Sequence, residues 1–319
     1  MPTFFTGFYS IWLGDRLVRL DIPEDASLRG IFDDQMLLSM RTPWETGGMT
    51  YPADALIAID VDDFLGGSRE FEVLFEPTDR VALDGVATTR TAIVISVLDN
   101  VKSRLYRFLP SDDGWSKEEI ELPGLGTASI GSVSDFDGRF LVTYQDFLTP
   151  SSLFLVEEDG SFVQLKTSPV WFDSEGMEAA QFEATSSDGT RIPYFVVTPK
   201  GFIADGTAPT LLYGYGGFEV SMKASYSGIS GTSWIERGGV WVLANIRGGG
   251  EFGPAWHQAA LKENRQRAYD DFVAVAEDLI DRKITSTRHL GIMGGSNGGL
   301  LVGAAFTQRP DLFGAVVCQ

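Results

Sequence analysis

Leu290-Gly291-Ile292-Met293-Gly294-Gly295-Ser296-Asn297-Gly298-Gly299-Leu300-Leu301-Val302-Gly303-Ala304-Ala305 opens short, apolar and strand-like, and it closes in small apolar residues with good helix formers. Between them lies Gly-x-Ser-x-Gly at Gly294, Ser296 and Gly298. That order predicts strand, sharp turn and helix, with a serine at the apex. A serine hydroxyl is a poor nucleophile until a neighbouring base takes its proton, so it must project clear of the backbone. Flanking glycines remove the Cβ atoms that would clash in so tight a turn. The same letters also fit a serine that caps a helix, or a phosphate-binding loop. A phosphate loop wants a Lys directly after the glycines, and Leu300 stands there.

Working back from this stretch, Phe272, Val275, Ala276, Leu279 and Ile280 fall at helical spacing within residues 270 to 280. Asp270 and Asp271 are read as charge near the positive end of that helix's dipole rather than as catalytic acids. Thr210 to Tyr213 and Gly239 to Ile246 are strands apolar on both faces, as in a parallel sheet covered by helices. Gln181 to Ala184 and Ile192 to Val197, joined by Ser187-Asp188-Gly189-Thr190, read as a hairpin. Strand alternating with helix predicts a doubly wound, mostly parallel α/β sheet over residues 176–319. Ligands belong at the carboxyl ends of its strands, where Tyr215, Arg247 and Ser296 are expected to emerge.

Residues 1–175 have another rhythm. Leu17, Leu56, Leu105 and Leu153 begin short strand-like runs spaced 39, 49 and 48 residues apart, a period that a four-stranded propeller blade produces. Asp113-Gly114, Asp137-Gly138 and Asp159-Gly160 supply turn chemistry between further strand candidates. The expectation is a partial β-propeller of about four blades. A β-sandwich also spaces its hairpins evenly and stays open at this point.

The chain has 319 residues, long for one core, which agrees with two domains. Its net charge of −19 argues against nucleic acid or an anionic membrane as partner. Residues 176–319 carry 14 acidic against 12 basic side chains, so nearly all the excess lies in the first half. The single cysteine, Cys318, excludes an internal disulfide and fits a reducing compartment. Residues 1–7 have neither the basic start nor the apolar core of a secretory signal, so a cytoplasmic location is the default. No apolar run reaches the length of a spanning helix, and no Asp/His cluster in the first half has metal-ligand spacing. Neither metal nor cofactor is expected.

Acyl transfer at Ser296 needs a base, an orienting acid and oxyanion donors. The N–H of Asn297 is the expected first donor, and the second is expected from the loop after Thr210 to Tyr213, where the Tyr215 hydroxyl can serve instead of a backbone amide. The base is harder to place, because both histidines precede Ser296 and only Asp311 among acidic residues follows it. His289 starts the serine's strand at its far end and reads as structural. His257 follows the loop at Gly248 to Gly250 and could approach the site.

Gly214-Tyr215-Gly216-Gly217-Phe218, Ala244-Asn245-Ile246-Arg247-Gly248-Gly249-Gly250-Glu251-Phe252-Gly253, Trp256-His257 and Gly294 to Leu301, continuing to Gln308-Arg309-Pro310-Asp311-Leu312-Phe313, together resemble the prolyl oligopeptidase family of serine peptidases. The likeness is close over residues 176–319 and looser before them. It implies an α/β-hydrolase domain capped by a propeller that admits oligopeptides, with no cofactor. It implies Ser296 as nucleophile, the Tyr215 hydroxyl and Asn297 N–H as oxyanion hole, and Phe218 in the wall of a proline-accepting pocket. Gly216-Gly217-Phe218 is more like prolyl oligopeptidase than oligopeptidase B, which cuts after basic residues and usually has Gly-Ser-Tyr-Gly there. The family's catalytic Asp and His lie beyond the nucleophile helix, so the 319 residues are expected to be a piece of a longer protein, inactive alone. The competing readings are a related acylaminoacyl-peptidase or esterase, and a non-catalytic propeller binding module. Oligomeric state is left open.

Overall fold

The computed structural model describes residues 3–111, 114–124 and 126–319. Up to Thr167 the sheets are antiparallel. β1 (Ser10–Trp12) pairs with β2 (Leu17–Arg19). The first four-stranded sheet runs β3 (Ala26–Phe32), β4 (Gln35–Met40), β7 (Leu56–Asp60), β8 (Glu72–Phe75). The ribbon β5 (Trp44–Thr46) and β6 (Met49–Tyr51) and the short helix α1 (Val61–Leu65) are inserted in it. The second sheet is β9 (Val81–Thr88), β10 (Ile93–Asp99), β11 (Lys102–Ser111) and β12 (Gly114–Ile120). The third is β13 (Thr127–Val133), β14 (Phe140–Gln145), β15 (Ser152–Val156) and β16 (Phe162–Thr167). Leu56, Leu105 and Leu153 each fall in the third strand of their four-stranded sheet in chain order, so the repeat read from these three leucines is the blade repeat, whereas Leu17 opens β2 of the two-stranded ribbon.

Stacking of the sheets rules out the two-layered sandwich. Ile93, Ile95 and Val97 of β10 pack with Leu37, Leu56 and Phe75 of the first sheet. Val94, on the opposite face of the same strand, packs with Ala128, Phe140 and Val142 of the third. A middle sheet buried on both faces by its neighbours is what radial repetition of blades produces. On the far face of the first sheet, Tyr9, Ile11 and Leu20 pack with Met36 and Leu38, so β1–β2 extends the stack there. The hairpin at Asp159-Gly160 turns as expected, with Gly160 at φ +83° and Asp159 accepting from the Ser161 N–H. At Asp137-Gly138 the aspartate closes the turn by accepting from the Arg139 N–H, and Gly138 needs no positive φ. Asp113 lies outside the described residues.

Between Thr167 and Met177 the architecture changes. The remaining strands are β17 (Met177–Thr185), β18 (Arg191–Pro199), β19 (Thr210–Tyr213), β20 (Val240–Ala244), β21 (Leu290–Gly294) and β22 (Ala315–Cys318). They form one sheet in the order β17-β18-β20-β19-β21-β22. Pairings from β20 to β22 are parallel, and the β17–β18 hairpin joins β20 antiparallel. The helices are α2 (Gly228–Ser233), α3 (Gly253–Gln258), α4 (Gln266–Asp281) and α5 (Asn297–Gln308). Phe272, Val275 and Leu279 of α4 and Leu301 and Val302 of α5 close one face over Leu212, Val242, Leu290 and Ile292. The other face, with Phe195, Val197 and Leu243, is covered partly by Val101 and Phe147 from the blades, so one core joins both halves. No helix among the described residues is long and apolar enough to cross a membrane.

α4 starts four residues before Asp270, because Ala268 already faces the core. Asp271 therefore sits in the second turn, wholly buried, and the reading of it as charge at a helix end is corrected. Burial of a carboxylate demands a partner, which the site supplies.

Candidate active site

β21 delivers Ser296 at the turn into α5 with φ 55° and ψ −117°, a conformation that side chains avoid unless their surroundings enforce it. The enforcement is steric. A Cβ on Gly294 would lie 2.2 Å from the Gly298 carbonyl oxygen, and one on Gly298 would lie 2.7 Å from that of Gly214. Ser296 is exposed, and its hydroxyl makes no capping bond to α5. The helix-cap alternative for this serine is thereby removed. Asn297 supplies the first amide of α5, which has no intrahelical acceptor, and among the described residues it finds no other.

The loop after β19 lies against this turn. Asn297 Nδ2 donates to the Tyr215 carbonyl oxygen at 2.6 Å. A Cβ on Gly217 would come within 2.4 Å of that Nδ2, and one on Gly216 within 2.5 Å of Ile246. Gly216 has φ +58°, which only glycine adopts freely. Tyr215 is half-buried, with no hydrogen bond from its hydroxyl among the described residues. Beneath it runs the loop from Gly248 to Gly250. A Cβ on Gly248 would meet the Gly216 oxygen at 2.4 Å, and one on Gly250 the Glu219 oxygen at 2.3 Å. The glycine run is a mould for the Tyr215–Glu219 backbone.

Phe218 is 56% exposed, held at φ +55°, and its ring meets Phe4 edge-on at 6.0 Å. Next to it, Glu219 is ion-paired with Arg41 of β4's exit, which also donates to His257 Nδ1 at 2.9 Å and lies over the Phe5 ring. Arginine only donates, so Nδ1 is unprotonated and the neutral imidazole carries its proton on Nε2. Burial, then the Arg41 and Arg265 charges, pushes the His257 pKa down to about 4. The same burial raises Glu219. His257 is thus tied to the blades rather than poised beside the serine. A cavity of about 320 Å³ next to this cluster is lined by Arg29, Arg41, Asp54, Asp84, Glu219 and Ser221. In it, burial raises Asp54 to about 7 although the Leu83 N–H donates to it.

Arg247 does not reach the site. Its guanidinium turns into the core, with Nε and Nη2 on Asp271 at 2.9 and 2.6 Å and Nη1 on Asp188. The Arg247 N–H also donates to Asp271, and Ser186 completes the cluster. Asp188 is held well below the usual carboxylate range by Arg247. His289 lies just before β21, at the end remote from Ser296, with its Nδ1 2.9 Å from the Ser286 hydroxyl. Asp311 pairs with Arg309 at the surface.

Sequence reasoning missed three participants. Arg41 reaches Glu219 from 178 positions away, and Arg265 follows Lys262-Glu263-Asn264, where no motif marks it. Glu251 is buried at 1% exposure, accepts from the Met222 N–H, and leaves Oε2 without a partner among the described residues. Its burial raises it to about 7.

Residues 225–319 match the model of the prolyl oligopeptidase family, and residues 45–166 that of the prolyl oligopeptidase N-terminal beta-propeller domain. An uncharacterized peptidase of Sinorhizobium fredii is 46% identical over 95% of the chain and 42% of its own length. A prolyl endopeptidase of Dictyostelium discoideum is 34% identical over 85% of the chain and 37% of its own length. A solved post-proline cleaving enzyme of Rickettsia typhi superposes with a TM-score of 0.91 at 37% identity, over 99% of this chain and 47% of that one. The chain thus spans less than half the length of each of these relatives.

Proposed function

Because the chain belongs to the prolyl oligopeptidase family of serine peptidases, we propose that it carries the nucleophile and oxyanion hole of an endopeptidase that cuts oligopeptides on the carboxyl side of proline. Residues 1–175 are read as the propeller part and 176–319 as the peptidase part. The observation that carries the proposal is Ser296, exposed at a positive-φ turn, with neither its hydroxyl nor the Asn297 amide beside it bonded to any other described residue.

Ser296 Oγ attacks the carbonyl carbon of the proline residue and gives its proton to a general base. Negative charge collects on the former carbonyl oxygen, where the Asn297 N–H and the Tyr215 hydroxyl donate to it. The intermediate collapses, the peptide C–N bond breaks, and the amine leaves with the proton. Water then attacks the acyl-serine through the same steps, releasing the acid. Phe218 supplies an apolar ring for the proline side chain. Neither histidine is read as the base: the Arg41 donor takes the Nδ1 lone pair of His257 and leaves the proton on Nε2, and His289 precedes β21 at the end remote from Ser296. Residues 1–319 alone are therefore expected to turn peptide over slowly, at the level that binding and an oxyanion hole support. The lone thiol, Cys318, supports a reducing, cytoplasmic setting.

The test compares a Gly-Pro anilide with an aryl ester in the intact protein and its Ser296→Ala variant. Post-proline cleavage that disappears in the variant is expected. Ester turnover without anilide turnover supports the esterase reading instead, and unchanged anilide turnover in Ser296→Ala contradicts the assignment.

A further inference from the structure

We infer that Arg265 is a positioning residue for acyl transfer, its guanidinium fastening into one unit the two loops that carry Tyr215 and Asn297. The inference rests on the reading of Ser296 given above. Arg265 Nη1 donates to the Gly216 carbonyl oxygen, and Nη2 makes a longer bond, 3.4 Å, to Asn297 Oδ1. Asn297 Nδ2 in turn donates to the Tyr215 oxygen. The bonds close a ring through Arg265, Gly216, Tyr215 and Asn297. The ring fixes which way the Asn297 amide faces, and with it the spacing between a backbone N–H and a phenol that serve the same oxygen.

A planar fork presents its N–H groups in fixed directions to acceptors on different loops, whereas an ammonium presents three rotatable donors from one point on a flexible stem. The fork is itself held. Its carbon lies 5.3 Å from the ring centre of Tyr269, one turn further along α4, and Gly248 leaves the space in which a Cβ would come within 3.1 Å of Nη1. Other buried or half-buried arginines of the chain, Arg41, Arg80 and Arg247, are paired with carboxylates. Arg265 has no carboxylate within 4.0 Å among the described residues, so its charge stands beside the donors unneutralised. Such a charge favours the oxyanion over the neutral carbonyl, an effect confined to the transition state.

The experiment uses the intact protein, with Arg265→Met and Arg265→Lys. The ligands are a peptide aldehyde ending in proline, which adds to the serine as an oxyanion-bearing hemiacetal, and the matching unreactive alcohol. Arg265→Met is expected to lower both kcat and aldehyde affinity about 10- to 100-fold, as small misplacements do. KM and alcohol affinity stay within roughly twofold. Arg265→Lys restores part of the loss, and Asn297→Ala adds little to Arg265→Met because both break one ring. Melting curves identify any variant that fails to fold, and Arg265→Lys then carries the test. Equal losses for aldehyde and alcohol, an unchanged kcat, or additive losses in the double variant overturn the inference. If the unaltered protein forms no hemiacetal on Ser296, the reading beneath the inference falls with it.

Discussion

Asn297 Nδ2 donates to the carbonyl oxygen of Tyr215 at 2.6 Å, so the residue after the turn serine grips the neighbouring loop with its side chain while its own N–H finds no acceptor among the described residues. The Tyr215 hydroxyl makes no bond that holds the fold among the described residues. Tyr215→Phe is therefore expected to lower kcat about 10²- to 10³-fold, the usual effect of deleting one oxyanion donor. Steady-state kinetics and a melting curve check this: KM and Tm stay put, and a loss confined to KM contradicts the role.

Two glycines are expected to refuse even a methyl group. A Cβ on Gly217 would press on Asn297 Nδ2 at 2.4 Å, and one on Gly248, at φ +96°, on the Gly216 oxygen at 2.4 Å. Gly217→Ala and Gly248→Ala should each cost about 1–3 kcal/mol and lower kcat together with stability. Gly303→Ala, inside α5 where a Cβ would meet nothing within 4 Å, serves as the control in urea denaturation and is expected to gain up to about 1 kcal/mol from helix propensity.

Arg247 and Asp271 form a buried pair, 5% and 0% exposed. Removing one partner strands the other charge, so Asp271→Asn is expected to cost about 3–5 kcal/mol. Arg247→Met combined with Asp271→Leu recovers much of that, and the double-variant cycle in urea measures the coupling. Equal and additive losses would contradict the pairing.

The pH dependence of stability tests Glu251. Folded, it titrates near 7 because of burial, against an ordinary 4.5. The unfolded chain ionises first, so stability is full below about 4.5 and falls as pH rises through 7. The loss is about 3 kcal/mol for a fully buried group. Glu251→Gln cannot ionise and should match the native protein at pH 4.5, then exceed it at pH 8. Asp54, raised to about 7, acts in the same direction, and His257, lowered to about 4 from 6.5, acts oppositely, losing stability as pH falls from 6.5 to 4. Both groups are common to the two proteins and cancel in the difference. Parallel stability curves would contradict the account.

What could be read from letters alone was whatever local spacing encodes. Gly294, Ser296 and Gly298 lie within one turn, and the clash of a Cβ on Gly294 with the Gly298 oxygen is a contact between near neighbours in sequence. The blade repeat was legible for the same reason, since Leu56, Leu105 and Leu153 occupy equivalent strands. Pairings across long separations left no such mark. Asp271 looked like a helix-end charge until Arg247, 24 positions earlier, was found to fill its carboxylate. Arg41 and Glu219 join the blades to the loop beside Phe218, and nothing in either neighbourhood announces the partner. Arg265 carries no local mark either, because its acceptors, the Gly216 carbonyl and the Asn297 side chain, are assembled only by the fold.

The account stands or falls on Ser296 as the acylated atom, and covalent labelling reads this directly. The intact protein is treated with a fluorophosphonate, digested, and the adduct located by mass spectrometry. The account predicts one adduct on the peptide that contains Ser296, absent in Ser296→Ala. An adduct that persists in Ser296→Ala, or that maps to another residue in the unaltered protein, contradicts it.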